Sequence, residues 1–260
     1  MTIASVVDYF VAPKQQVRYF KNTSPNSALY YSSWTAGGNN VPSAGVAPTA
    51  ANSQPTGIVP TVNTTGAAVI TPFSGNGYIT QATAQCTIPG RYWVIDRLFH
   101  IGATANQTVV LSNQPSYASR IPNDDFTGLQ IWYESTGGGG TPTMTVTYTD
   151  QSGNTGHSTG AFAVNSGSIG VASQLPLQVG DSGLQKIEST SCTGGTSGYV
   201  ITVVRPLFHF YIGNANQEHI FPFPTTGLPQ IYQDSCIHYY AHGTTLSGIG
   251  IDLTMEIASL

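Results

Sequence analysis

Near the end of the chain, apolar and polar residues alternate one for one. In "GIDLTMEIAS", Ile251, Leu253, Met255 and Ile257 fall on one side. Asp252, Thr254, Glu256 and Ala258 fall on the other. Successive side chains of a strand point to opposite faces, so this period of two predicts a strand with one buried and one wet face. From Ala67 onward the same rhythm recurs in short runs separated by turn residues. "AVITPF" and "NGYITQATAQCTIPG" read as strands, the latter ending at Pro89-Gly90. "RYWVIDRLFHIG" is more continuously apolar, with Arg91, Asp96 and Arg97 inserted. Its β-branched and aromatic residues favour a strand over a short helix. "GLQIWYES" and "TPTMTVTYTD" read as an antiparallel pair across the glycine loop between them. "DQSGNTG" is a turn leading to "HSTGAFAV", and "SGYVITVVRPL", "HFYIG" and "SCIHYYAHG" follow as strands.

The first third behaves differently. "QVRYFKN" alternates weakly after Ala12-Pro13. Residues 22–66 are then rich in Pro, Gly, Asn, Ser and Thr, with "ALYYSSW" as the one apolar patch. Such a stretch predicts a long arm with little regular structure of its own. Loops of that length are uncommon unless functional or ordered by a partner, and Tyr30, Tyr31 and Trp34 need a surface to pack on. The expected organisation is therefore an N-terminal strand segment and extended arm over 1–66 and a β body over 67–260. The fold class is all-β: an antiparallel sandwich, jelly-roll-like, with an immunoglobulin-like sandwich as the alternative.

Composition sharpens this. Of 260 residues only 8% are charged, while 40% are hydrophobic; an ordinary soluble protein carries roughly 25% charged residues. A surface so poor in charge is weakly protected against association, so much of it is expected to be covered by partners. The net charge is −4. Among the eight basic residues only Lys14, Arg18 and Lys21 cluster, which excludes the basic stripe of a nucleic-acid groove. Cys86, Cys192 and Cys236 are odd in number and far apart. Buried free thiols in a reducing cytoplasm are expected rather than a disulfide framework. The N-terminus has no basic region followed by a long apolar run, and no stretch reaches the 18 or so apolar residues of a span. Neither export signal nor membrane partner is expected.

Candidate chemistry is sparse. His238 and His242 in "HYYAH" have i, i+4 spacing, but the glutamate of a zincin is missing. On a strand they would stand about 13 Å apart, too far to chelate. His209 and His219 flank "FYIGNANQE" and could meet across a hairpin. Asp124 and Asp125 sit in a turn rather than across a sugar cleft. His157 and Ser158 are sequence neighbours, poorly placed on a strand as base and nucleophile. There is no GxSxG, and "STGGGGT" lacks the lysine of a P-loop. No enzyme, no cofactor and no metal site is expected.

Two segments carry a resemblance. "MTVTYTDQSGNTGHST", followed by "LPLQVGDSGLQKIESTSCTGGTSGYVITVVRPL", resembles structural proteins of tailed-bacteriophage virions. There a V-Y-T-(D/N)-Q-x-G strand and turn precedes LPLQxGDxGV, a Gly-rich loop and a V-RPL strand. "RYWVIDRLFHIG" is similar to their upstream strand. The likeness runs from about Arg91 to Leu207. Within it, Gly180 and Gly183 are expected to bracket a tight turn, with Asp181 capping local amides.

The resemblance implies assembly rather than catalysis. The leading expectation is a capsid decoration, or cement, protein on the virion head surface, assembled in the host cytoplasm. It would bind the major capsid protein as a homo-oligomer, with a trimer at local three-fold positions expected. Tyr9, Phe10, Lys14, Arg18, Tyr30, Tyr31 and Trp34 are the expected interface residues. Deleting 1–66 is expected to leave a folded body. The alternatives are a tail, neck, baseplate or head-fibre component, and a carbohydrate-binding module that recognises the host surface through its aromatic residues.

Overall fold

In the computed structural model, residues 11–23, 29–35, 44–45, 56–196, 198–243 and 249–259 are described. Strands are numbered in chain order. The first sheet runs β1 (Lys14–Thr23), β16 (Ile249–Ser259), β3 (Gly77–Cys86), β13 (Glu218–Pro222), with β14 (Gln230–Ile231) also on β3. A closed barrel follows in the order β10 (Val171–Leu175), β2 (Tyr30–Ser32), β15 (Ile237–Gly243), β4 (Gly90–Thr104), β12 (Gly198–Ile212), β6 (Gln130–Ser135). The third sheet is β5 (Thr108–Val110), β11 (Leu184–Thr193), β7 (Thr143–Asp150), β8 (His157–Ser158), with β9 (Phe162–Ala163) on β7. These pairings are antiparallel. The all-β class holds, with a barrel between two sheets packed on it from outside.

The organising feature is the β4–β12 pair, each strand 15 residues long. Their two halves serve two cores. Tyr92 and Val94 of β4 and Phe208, Phe210 and Ile212 of β12 pack with the inward side of the first sheet, including Val17, Tyr19, Leu253 and Met255. Phe99, Ile101 and Ala103 of β4 and Tyr199, Ile201 and Val203 of β12 pack with the third sheet through Met144, Val146, Tyr148 and Ile187. The register slips between Val203 and Val204 and between Pro206 and Phe208. Each slip is a bulge that re-aims the side chains, and the second accommodates Pro206, which has no N–H to donate.

Several expected elements are found. β16 buries Ile251, Leu253, Met255 and Ile257 and leaves Asp252, Thr254 and Glu256 half-buried; Ala258 is buried as well. "RYWVIDRLFHIG" is strand throughout. Cys86, Cys192 and Cys236 are free and buried.

Others are corrected. "AVITPF" forms no strand. Instead the amide of Gln15 takes the place of a neighbouring backbone, with Thr71 N donating to its Oε1 at 2.7 Å and its Nε2 donating to Thr71 O at 2.9 Å. β6 and β7 are not partners: β6 pairs with β10 and β12, and β7 with β11. The glycine-rich loop between them carries the chain from barrel to third sheet, with Gly137, Gly138 and Gly140 at positive φ. β13 pairs with β3 rather than β12, so His209 and His219 do not face each other in a hairpin. The described parts of 22–66 lie on the chain's own body. β2 sits in the barrel between β10 and β15. Ile58 and His100 exchange backbone hydrogen bonds at 2.9 Å, and Val62 N donates to Asp234 O at 3.3 Å. Tyr30, Tyr31 and Trp34 thus find their surface at home.

Candidate assembly surface and interior ion cluster

Where β4 and β12 pass from one core to the other, charge is gathered inside. Arg97 donates to both carboxylate oxygens of Glu134, at 2.6 and 3.1 Å, and both side chains are sealed from solvent. Glu134 Oε1 also accepts from the Tyr240 hydroxyl at 2.6 Å and from Thr202 at 3.4 Å. Arg97 Nε donates to His100 Nδ1 at 2.8 Å, and its guanidinium lies 4.8 Å from the Trp34 ring centroid. Asp96 anchors a second group. It accepts from Cys236 N and Ser235 Oγ at 2.9 Å, and it meets Arg120 at 3.4 Å and Arg205 at 3.3 Å. Arg120 also donates to the carbonyls of Pro60, Asp234 and Arg97.

A buried charge is costly unless paired and hydrogen-bonded; each arginine here has a carboxylate partner, and only the Nε atoms of Arg120 and Arg205 are left without a hydrogen bond. Burial, with Arg97 alongside, holds both His100 and His238 well below the ordinary histidine range. Both rings are therefore neutral, and His100 Nδ1 accepts from Arg97. The cluster is closed to substrate, so it fixes the fold. Two open depressions among the described residues hold little chemistry. One of about 500 Å³ is lined by Pro13, Lys14, Gln15, Thr71, Phe73 and Ser259 among others. Another of about 270 Å³ lies beside Phe20, Gln85, Thr87 and Asp252.

The expected interface residues divide. Tyr9 and Phe10 lie outside the described residues. Lys14 is half-exposed and 3.6 Å from Glu256. Arg18 is exposed and bidentate to Asp252, at 3.0 and 2.6 Å. Lys21, grouped with them in sequence, points inward and is buried, and burial lowers its amine to about 8. The basic cluster is thus split between two faces of β1. Tyr30 packs against Trp93, Trp132 and His242, with ring centroids 4.9, 5.3 and 4.9 Å apart. Tyr31 and Trp34 are buried in this chain's own body.

The exposed apolar residues are elsewhere. Phe20 is on β1, Ile220 on β13 and Val110 on β5, and these three are edge strands among the described residues. Val179, 99% exposed, crowns the turn before β11. The one sequence signal for these positions was an apolar residue on the wet side of an alternating run, as at Ile220 in "EHIFP".

The segments that carried the resemblance fall together. "RYWVIDRLFHIG" and "SGYVITVVRPL" are the paired β4 and β12. The strand of "MTVTYTDQSGNTGHST" is β7, paired with β11 from "LPLQVGDSGLQKIES". Their two turns are laced together. Gln151 Oε1 accepts from Ser182 N and Gly183 N at 3.0 and 3.2 Å, so Gln151 rather than Asp181 caps those amides. Asp181 instead accepts from the Tyr148 hydroxyl at 2.7 Å and faces His157.

No family model matches the chain, and no curated protein matches it. Solved structures that align with it include the structure of infectious bursal disease virus Gx strain, at 9% identity over 96% of this chain and 81% of that one, with a TM-score of 0.21. The infectious bursal disease virus VP2 subviral particle aligns at 10% identity over 96% and 81%, with a TM-score of 0.19. At these scores the superposition is too loose to carry an argument about fold or function.

Proposed function

We propose that the protein is a non-enzymatic structural component of a virion, and specifically a capsid decoration protein that binds the major capsid protein lattice as a homo-oligomer, with a trimer the expected state. The observation that carries this reading is the sequence likeness to tailed-bacteriophage virion proteins between Arg91 and Leu207. Its separate motifs fall on the paired β4 and β12 and on the paired β7 and β11. The physical character of the chain agrees. Buried ion pairs hold its interior, its surface is poor in charge, and Phe20, Val110 and Ile220 stand exposed on edge strands, where another chain can be met.

The contact surface is assigned to those edges rather than to Tyr30, Tyr31 and Trp34, which pack on the chain's own body. Trp34 and Trp132 are buried, which also leaves them unavailable as a stacking platform for sugars. The decisive experiment is quantitative mass spectrometry of purified particles. An abundance of the same order as the major shell protein supports head decoration. A small fraction of it moves the protein to a tail, neck or fibre position, and absence from particles overturns the reading.

A further inference from the structure

The two laced turns bring Asp150, His157 and Asp181 together, with one ligand atom from each within 4.8 Å of the others. His157 Nδ1 lies 2.7 Å from Asp181 Oδ2. A carboxylate can only accept, so Nδ1 carries the proton. Asp181 is itself held by the Tyr148 hydroxyl, which accepts from Gln178 N at 2.7 Å. The other ring nitrogen, Nε2, faces Asp150 Oδ2 at 3.9 Å, too far for a hydrogen bond. Asp150 is fixed in that position. Its Oδ1 accepts from Ser152 N and Asn154 N, and its Oδ2 from Asn154 Nδ2, all at 2.8 Å. Asp150 and Asp181 are nearly buried, while His157 is 22% exposed and opens the group to solvent on one side.

An imidazolium bridging two carboxylates would donate from both nitrogens. Here one nitrogen donates closely and the other stands off, with a fixed carboxylate oxygen opposite it. With the proton on Nδ1, the Nε2 lone pair and the Asp150 carboxylate oxygen 3.9 Å away are two electron-rich atoms close enough to share a cation. Nitrogen and carboxylate ligands of a zinc-like ion each sit roughly 2.0–2.2 Å from the metal, which puts them about 3.0–3.5 Å from one another. A movement of about half an ångström by the partly exposed ring closes the difference.

We propose that His157 Nε2 and Asp150 Oδ2 bind one divalent first-row transition-metal ion, with Asp181 as the outer carboxylate that orients the ring through Nδ1–H. An imidazole ligand favours zinc, cobalt or nickel over calcium or magnesium, which prefer oxygen alone. The remaining positions are filled by water, and the ion closes the turn between β7 and β8, whose His157 is tied through Nδ1–H to Asp181 in the turn before β11. This inference rests on geometry and is independent of the virion reading.

The test is titration of the full chain, freed of metal with chelator, with Co²⁺ and Zn²⁺. The expected result is one ion per chain, a rise in melting temperature with Zn²⁺ and a visible Co²⁺ band. His157→Ala and Asp150→Asn are expected to abolish all three. Asp181→Asn should weaken binding by roughly 10–100-fold. Magnesium and calcium should leave the melting temperature unmoved. Long-range proton–nitrogen spectra of the wild-type imidazoles provide a readout that needs no variant, with the His157 Nε2 resonance shifting on zinc addition. The proposal is overturned if that resonance stays put, if no ion binds below millimolar concentration, or if a folded His157→Ala protein binds as the parent does.

Discussion

Glu134 illustrates what a single residue does here. It receives Arg97, Tyr240 and Thr202 inside a sealed barrel, so its loss strands a guanidinium where water cannot reach. Removing one partner of such a pair costs about 3–5 kcal/mol. Glu134→Gln should therefore lower the denaturant midpoint severely, while Arg97→Met with Glu134→Leu should lose less than either single change. If the double variant is the worst of the three, the pair is not the unit of stability. His100 and His238 set a pH dependence. Their folded-state values are depressed, so below about pH 6.5 the unfolded chain takes up protons that the folded chain refuses. Stability is then full above that pH and falls as the solution is acidified, by about 1.4 kcal/mol per pH unit for each histidine. Melting curves from pH 8 to pH 5 should show the decline, and His238→Gln should flatten it. Gly183 is fixed by close approach: a Cβ there would stand 2.0 Å from Phe126 O. Gly183→Ala should cost about 1–3 kcal/mol, read as a lower midpoint.

At the scale of elements, some strands were legible because the signal is local. The alternation in β16 and the β-branched run of β4 needed no knowledge of partners. Pairing was not legible. β6 and β7 are neighbours in sequence, yet β6 closes the barrel and β7 joins the third sheet; no period within either run records that choice. The place of β2 was not legible for a related reason. β2 is only three residues long, too short to show a period, and its place is set by β10 and β15. The same applies to the ion cluster. Asp96 and Arg97 were visible as charges in an apolar run, but Glu134, Arg120 and Arg205 arrive from distant segments. Deletion of residues 1–35 strips β1 from β16 and takes β2 from the barrel wall, so the truncated chain should lose its cooperative melting transition. A sharp transition near that of the full chain would show that the barrel closes without β2.

For the whole molecule, the two largest apolar cores among the described residues share the same pair of long strands. They should melt as one unit, with calorimetric and van't Hoff enthalpies in agreement despite the length of the chain. Two resolved transitions would mean that the halves are energetically separate. Assembly is predicted at the same scale. Phe20→Asp, Val110→Lys and Ile220→Lys change exposed positions on edge strands, so each should leave the melting temperature within a few degrees while lowering particle binding or self-association. Unchanged binding in all three would move the contact surface elsewhere.

The shared ladder also has a mechanical meaning. At about 3.4 Å per residue, β4 and β12 extend roughly 50 Å side by side. Both strands reach from the core under the first sheet to the core under the third, so a load passing between those sheets has a direct route along them. Antiparallel strands pulled lengthwise resist in shear, with their cross-links strained together instead of opening one after another. The bulges at Val204 and Pro206 and the ion cluster beside them sit at the midpoint of that path.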